Sequence, residues 1–161
     1  MSWTPHVTVA TIVQDQQRFL FVEERSMAVS HLVINQPAGH VEANETLIEA
    51  AARETLEETG WHVEITHLLG IYTYTPPSNP ATTYYRFCFL ANPLSHDASL
   101  PLDTGIERAI WLSLDELIDT ARARSPLVTR CVQDALDGKK FPLGIIYEQP
   151  FFNASPDLLD A

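Results

Sequence analysis

Basic residues are scarce in this chain: ten Lys and Arg stand against 21 Asp and Glu, a formal net charge of −11. Phosphate backbones are held by clusters of Lys and Arg, so this balance excludes a nucleic-acid polymer as the natural partner and disfavours polyanionic surfaces. A small phosphorylated ligand stays compatible if a metal cation mediates the contact. Cysteine is scarcer still. Cys88 and Cys131 have no C-x-x-C spacing, which excludes a disulfide framework and reads as two reduced thiols. Long apolar runs are missing as well. The stretch Val7 to Val13 stops at Gln14 and Asp15, and the N-terminus lacks a basic region. Neither a membrane span nor a signal peptide is expected, and a cytoplasmic location follows. No G-x-x-x-x-G-K-[ST] occurs, which excludes a P-loop. The six histidines, among them His31, His40, His62 and His67, show no zinc-ligand spacing.

What is present suits an ordinary globular chain. With 161 residues, 45% hydrophobic and 19% charged, residues 1–161 are read as one domain with a core from about 6 to 145 and a frayed tail from about 150 to 161. "HVTVATIV" and "RFLFVEER" read as two strands of a hairpin joined by Gln14 to Gln17. Ser26 to Gly39 reads as a loop with one short strand. Asn44 to Thr59 is free of proline and glycine and reads as a helix, with Asn44 as N-cap, Glu45 in the first turn and Gly60 at C′. "VEITHLLGIYTYT" and "TTYYRFCFLAN" read as strands around the turn-rich "PPSNPA", and "AIWL" as another. Ser113 and Glu116 form a capping box for a helix to about Arg122, and Ser125-Pro126 opens a last helix that Gly138 closes. This order of strands and helices predicts an α/β chain of α+β type, a mixed sheet with helices packed on it.

The stretch "RETLEETG" crowds three carboxylates. At about 100° per residue, Glu58 lies about 40° to one side of Glu54 and Glu57 about 60° to the other. Ile48, Ala51, Ala52, Thr55 and Leu56 form the apolar stripe expected to dock on the sheet, while Ala50 leaves the acidic side open. Arg53 stands beside Glu57 at i, i+4. An acidic run of this kind is ordinarily a solvated face. Three features argue instead for a bound cation: the Gly60-Trp61 stop, the preceding Pro-Ala-Gly turn that brings backbone carbonyls near the acids, and the shortage of basic residues to neutralise them.

The run "GHVEANETLIEAAARETLEETGW" resembles the Nudix box of the Nudix hydrolases: glycine, five residues, glutamate, seven residues, Arg-Glu, two residues, Glu-Glu, one residue, glycine and a hydrophobe. Gly39, Glu45, Arg53, Glu54, Glu57, Glu58 and Gly60 occupy the fixed positions. Thr55 departs from the usual aliphatic residue. "INQPAGHVEANETL", "RSPLV" and "GKKFPL" extend the likeness to a bacterial branch acting on nucleoside tri- and diphosphates.

The resemblance implies a Nudix fold, an α/β/α sandwich around a central mixed sheet, and Mg²⁺, with Mn²⁺ able to substitute. The implied ligands are Glu54, Glu57 and Glu58 with the backbone carbonyl of Ala38, and Arg53 joins the glutamates in the catalytic set. Such a metal would neutralise and orient phosphate and lower the pKa of a bound water. The implied reaction is phosphoanhydride hydrolysis in nucleoside tri- and diphosphates, and in hydroxymethylpyrimidine diphosphate, with release of phosphate. Two alternatives stay open: a pyrophosphohydrolase of ADP-ribose or dinucleoside polyphosphates, and a non-catalytic nucleotide-binding regulator.

Many members carry a further acid ahead of the Trp-Leu-Ser strand. Gly105 holds its place here; either Asp103 or Glu107 substitutes, or the glutamates of the helix supply the base alone. Arg25, His40, Tyr74 and Arg86 are the expected substrate contacts, with Trp3, Tyr72, Tyr84 and Tyr85 as further aromatics able to stack a base. The chain is expected to act as a monomer or homodimer.

Overall fold

The computed structural model describes residues 3–148; the tail expected to fray from about residue 150 lies outside them. Continuous buried runs form β1 (Thr4–Asp15) and β2 (Arg18–Glu24), joined as a hairpin through Gln16, which takes a left-handed φ of 53°. Two three-residue strands follow, β3 (Val33–Asn35) and β4 (Ala38–His40), where the sequence suggested one. Each borrows its hydrogen bonds from a neighbour: β3 pairs with β2 and β4 with β1.

The helix α1 (Leu47–Thr59) starts later than expected. Thr46, not Asn44, is its N-cap, in a capping box with Glu49. Asn44 has a left-handed φ of 65°, which turns the chain ahead of the helix and leaves Glu45 outside the first turn. Gly60 closes the helix at φ 71°, as the sequence suggested; a side chain there would come 2.8 Å from the Asp97 carbonyl.

The long strands β5 (Trp61–Tyr74) and β6 (Thr82–His96) pair antiparallel, and β7 (Ile106–Leu112) pairs with β2. Then come α2 (Leu114–Thr120), α3 (Pro126–Leu136), β8 (Phe141–Pro142) and a 3-10 turn at Leu143–Ile145. Ser113 and Glu116 form the expected capping box, but α2 ends two residues short of Arg122 because Ala121 turns left-handed at φ 52°. The eight strands form one sheet in the order β3-β2-β1-β6-β5-β8, with β4 on β1 and β7 on β2; β1 and β6 run parallel, which makes the sheet mixed.

The sheet is covered on both faces, an α/β/α sandwich. Val9, Leu68 and Phe89 meet Ala50 and Ala51 of α1 on one side. Ala10, Ile12, Leu69 and Cys88 meet Leu117 of α2 and Val128, Cys131 and Val132 of α3 on the other. Burial of each phenylalanine at positions 19, 21 and 89, all within 1% exposure, contributes about 1.5–3 kcal/mol. Both cysteines are free and buried. Among the described residues no helix is long and apolar enough to cross a membrane.

The expected face of α1 needs correction. Ala50 is fully buried, and the buried residues are Ala50, Ala51, Glu54, Thr55, Glu58 and Thr59, whereas Ile48, Ala52 and Leu56 are half-buried. The small side chains of Ala50 and Ala51 let the helix sit close to β1, which carries Glu54 and Glu58 inward with them. Thr55, unusual in the motif, satisfies its hydroxyl by donating to the Ala51 carbonyl at 2.7 Å.

Candidate active site

One arginine organises the acidic side of α1. Arg53 donates through Nε and Nη2 to both oxygens of Glu45 at 2.9 and 2.7 Å, through Nη1 to Glu54 and Glu57 at 3.0 Å each, and through Nη2 to the His40 carbonyl at 3.1 Å. Glu45, displaced from the helix, closes this web by also accepting from the Glu42 amide at 2.6 Å. The paired guanidinium holds Glu45 below the ordinary carboxylate range, and Glu45 in turn raises Arg53. A planar fork of five donors is suited to spanning three carboxylates in this way.

Glu54 lies against β4. A side chain on Gly39 would meet its carboxyl group at 2.1 Å, so glycine is what lets the helix acid approach the strand. Burial pushes the Glu54 carboxyl up, against the pull of Arg53.

A loop brings in the further acid. The Asp103 amide donates to the Glu57 carbonyl at the C-terminal end of α1 at 3.1 Å, and the Ile106 amide returns to the Asp103 carbonyl at 3.0 Å. Gly105 makes that turn at φ 93° and offers its carbonyl to the Arg25 amide. Carboxylate oxygens of Glu54, Glu57 and Asp103 thereby come within 4.8 Å of one another, close enough to hold one metal ion. The donors are all oxygen, which suits a hard divalent cation rather than zinc. Of the two acids weighed in place of Gly105, Asp103 joins this cluster, whereas Glu107 is exposed and paired with Arg25 at 3.1 Å.

Glu58 stands apart from the three. It accepts the Ala38 amide at 2.9 Å, so the contact with Ala38 runs through the N–H. Burial first, then the charges of Glu24, Glu54 and Asp103, push its pKa up to about 8, although the Ala38 bond pulls the other way. Glu58, Ala38 and Gly39 form one wall of a cavity of about 460 Å³.

Three of the expected substrate contacts, His40, Tyr74 and Arg86, line this cavity, as does Tyr84, but Arg25 does not. His40 is bonded to His6 at 2.8 Å, and burial, with His6 beside it, lowers its pKa. Tyr72 is buried with its hydroxyl on Asp134, and Trp3 is spent on Thr83 and the edge of Tyr85. Sequence reasoning missed Glu24, paired with Arg124 at the cavity wall, and Asn35 beside it. It also missed Glu148, which caps α1 by accepting the Leu47 amide at 2.9 and 3.1 Å. An asparagine or glutamate inside an apolar strand such as "VINQ" or "FVEE" is the signal that could have found the first two.

An acid-lined helix lies against a mixed sheet at Gly39, and an oxygen-only cluster at its end could hold a divalent metal ion. The NUDIX domain model matches residues 4–131, and the chain belongs to the Nudix hydrolase family. It is 38% identical over 149 residues to the Escherichia coli K12 protein named phosphatase NudJ, covering 91% of this chain and 95% of that one. A solved NUDIX hydrolase from Nitrosomonas europaea superposes with a TM-score of 0.86 at 43% identity, covering 91% of this chain and 98% of that one. An ADP-ribose pyrophosphatase from Streptococcus suis, 18% identical with a TM-score of 0.64 over 84% of this chain and 92% of that one, shares the fold. The protein is a phosphohydrolase, of a family that acts on small phosphorylated substrates with divalent metal ions.

Proposed function

We propose that the protein hydrolyses phosphoanhydride bonds of nucleoside tri- and diphosphates, releasing phosphate, in a Mg²⁺-dependent reaction. The observation that carries this reading is the oxygen-only cluster of Glu54, Glu57 and Asp103 beside a cavity with aromatic lining. The likeness to NudJ phosphatases over 91% of the chain supports orthophosphate as product. Mg²⁺, when bound, supplies charge neutralisation for the phosphates and acidifies a water.

The chain's own residues supply the rest. Arg53 keeps Glu54 and Glu57 in one rotamer each by donating to both from one nitrogen. Glu58, one of whose carboxylate oxygens accepts the Ala38 amide, takes up the proton of the attacking water on the other oxygen. Asp103 is the acid that stands in for the one missing at Gly105.

A substrate panel of ATP, ADP, ADP-ribose, a dinucleoside polyphosphate and hydroxymethylpyrimidine diphosphate tests the reading, with Mg²⁺ and with chelator. Orthophosphate from ATP and ADP, lost with chelator and reduced at least ~100-fold in Glu57→Gln, is expected. AMP and ribose phosphate from ADP-ribose as the main products, or turnover without metal, would contradict it.

A further inference from the structure

Asn35, in the wall of the cavity beside Glu58, carries one buried polar atom that the fold leaves unpaired. Asn35 ends β3 and is 5% exposed, and its Oδ1 is the one buried side-chain polar atom without a hydrogen-bond partner among the described residues. Asn35 lines the cavity. Several polar groups near it are already paired. Gln36 donates to the Val128 carbonyl at 2.7 Å and accepts from Arg86 at 3.4 Å, and Arg124 pairs with Glu24. A buried acceptor left without a donor costs about 1–3 kcal/mol, which an apolar side chain of the same size would not incur.

One charge pair lies in the cavity wall. Arg124 pairs with Glu24 and Arg86 donates to Gln36, and the rings of Tyr74 and Tyr84 add aromatic surface. A neutral heteroaromatic group bearing an N–H fits this combination. We propose that Asn35 is a specificity-determining residue whose carboxamide oxygen accepts a hydrogen bond from the base of the substrate, so that bases with an N–H at that edge are selected over those without. The proposal deepens the nucleotide reading above and rests on it for the phosphate end alone. A site built around a buried hydrogen-bonding group discriminates strongly against a ligand that leaves it unpaired.

The test uses nucleosides, without phosphate, metal or turnover. Dissociation constants are measured by NMR titration for adenosine against purine riboside, and for uridine against 3-methyluridine, on the wild type, Asn35→Leu and Asn35→Ala. The wild type is expected to prefer the N–H partner of at least one pair by about 10-fold, and both variants to bring that ratio within about 2-fold while keeping the wild-type circular dichroism. Two substitutions of different volume guard against one failing to fold. No preference in the wild type, or a preference that survives in a folded variant, overturns the proposal. Failure of the phosphate-release panel would contradict the proposed function and leave this binding result standing.

Discussion

Glu23 on β2 and Glu58 on α1 are both buried carboxylates, 2% and 8% exposed, yet they sit on opposite sides of the ordinary glutamate value. The Arg108 hydrogen bond, with Arg122 on the other oxygen at 2.6 Å, holds Glu23 low in spite of its burial. Glu58 has one backbone N–H and is faced by Glu24, Glu54 and Asp103, so burial and like charge hold it high. The chain has ten basic residues; Arg108 and Arg122 serve Glu23, and Arg53 alone is shared by Glu45 and by Glu54 and Glu57 of the helix. Where positive charge is withheld, the fold stores repulsion that a divalent cation relieves, and this separates a structural carboxylate cluster from a functional one.

The comparison is broken most directly by removing acids from the cluster. Asp103→Asn is expected to cost about 10- to 100-fold in kcat/KM, whereas Glu107→Gln, which loses only the exposed pair with Arg25, leaves turnover and stability within about 0.5 kcal/mol. Equal losses in the two variants would remove Asp103 from the site. Next in size is Gly39→Ala. The added methyl would displace the flexible end of Glu54 rather than backbone, so activity falls about 10-fold or more while the melting temperature moves little, as read by paired kinetics and thermal unfolding. At Glu23 the order reverses. Glu23→Gln weakens two charged bonds and is expected to lower stability by about 1–3 kcal/mol with catalysis retained, as a denaturant titration would show.

The two glutamates also give opposite pH signs. A lowered folded pKa means that Glu23 contributes stability above its ordinary value of 4.5, lost as pH falls through the folded value. The raised pKa of Glu58 favours its protonated form on folding; that contribution is full below 4.5 and is lost as pH rises through about 8. Without metal, the melting temperature of the wild type is therefore expected to fall from about pH 4.5 to about pH 8 and to level off above that, and that of Glu58→Gln to stay more nearly level.

Much of this was legible in the chain. The fixed spacing of Arg53, Glu54, Glu57, Glu58 and Gly60 carried both the helix and the family, and the β-rich runs and the Ser113–Glu116 capping box carried most of the other elements. The start of α1 was misread because Asn44 and Thr46 are both good N-caps, and the left-handed turn at Asn44 follows from how the chain leaves β4. The buried face was misread because an apolar stripe is a local pattern, whereas the approach of Glu54 to Gly39 depends on two small alanines meeting a distant strand. The choice between Asp103 and Glu107 turned on a backbone bond to the helix end, and the cavity at Asn35 draws on residues from β1 to α3, contacts that no local spacing encodes.

The acids at the end of α1 lie close enough together to hold a divalent cation. Binding of Mn²⁺, followed through the electron paramagnetic resonance signal of the free ion, tests it on the wild type, Asp103→Asn and Glu23→Gln. Stoichiometric uptake by the wild type and by Glu23→Gln, with affinity weakened about 10-fold or more in Asp103→Asn, is the expected result. Equal affinity in all three proteins, or none in the wild type, would contradict it.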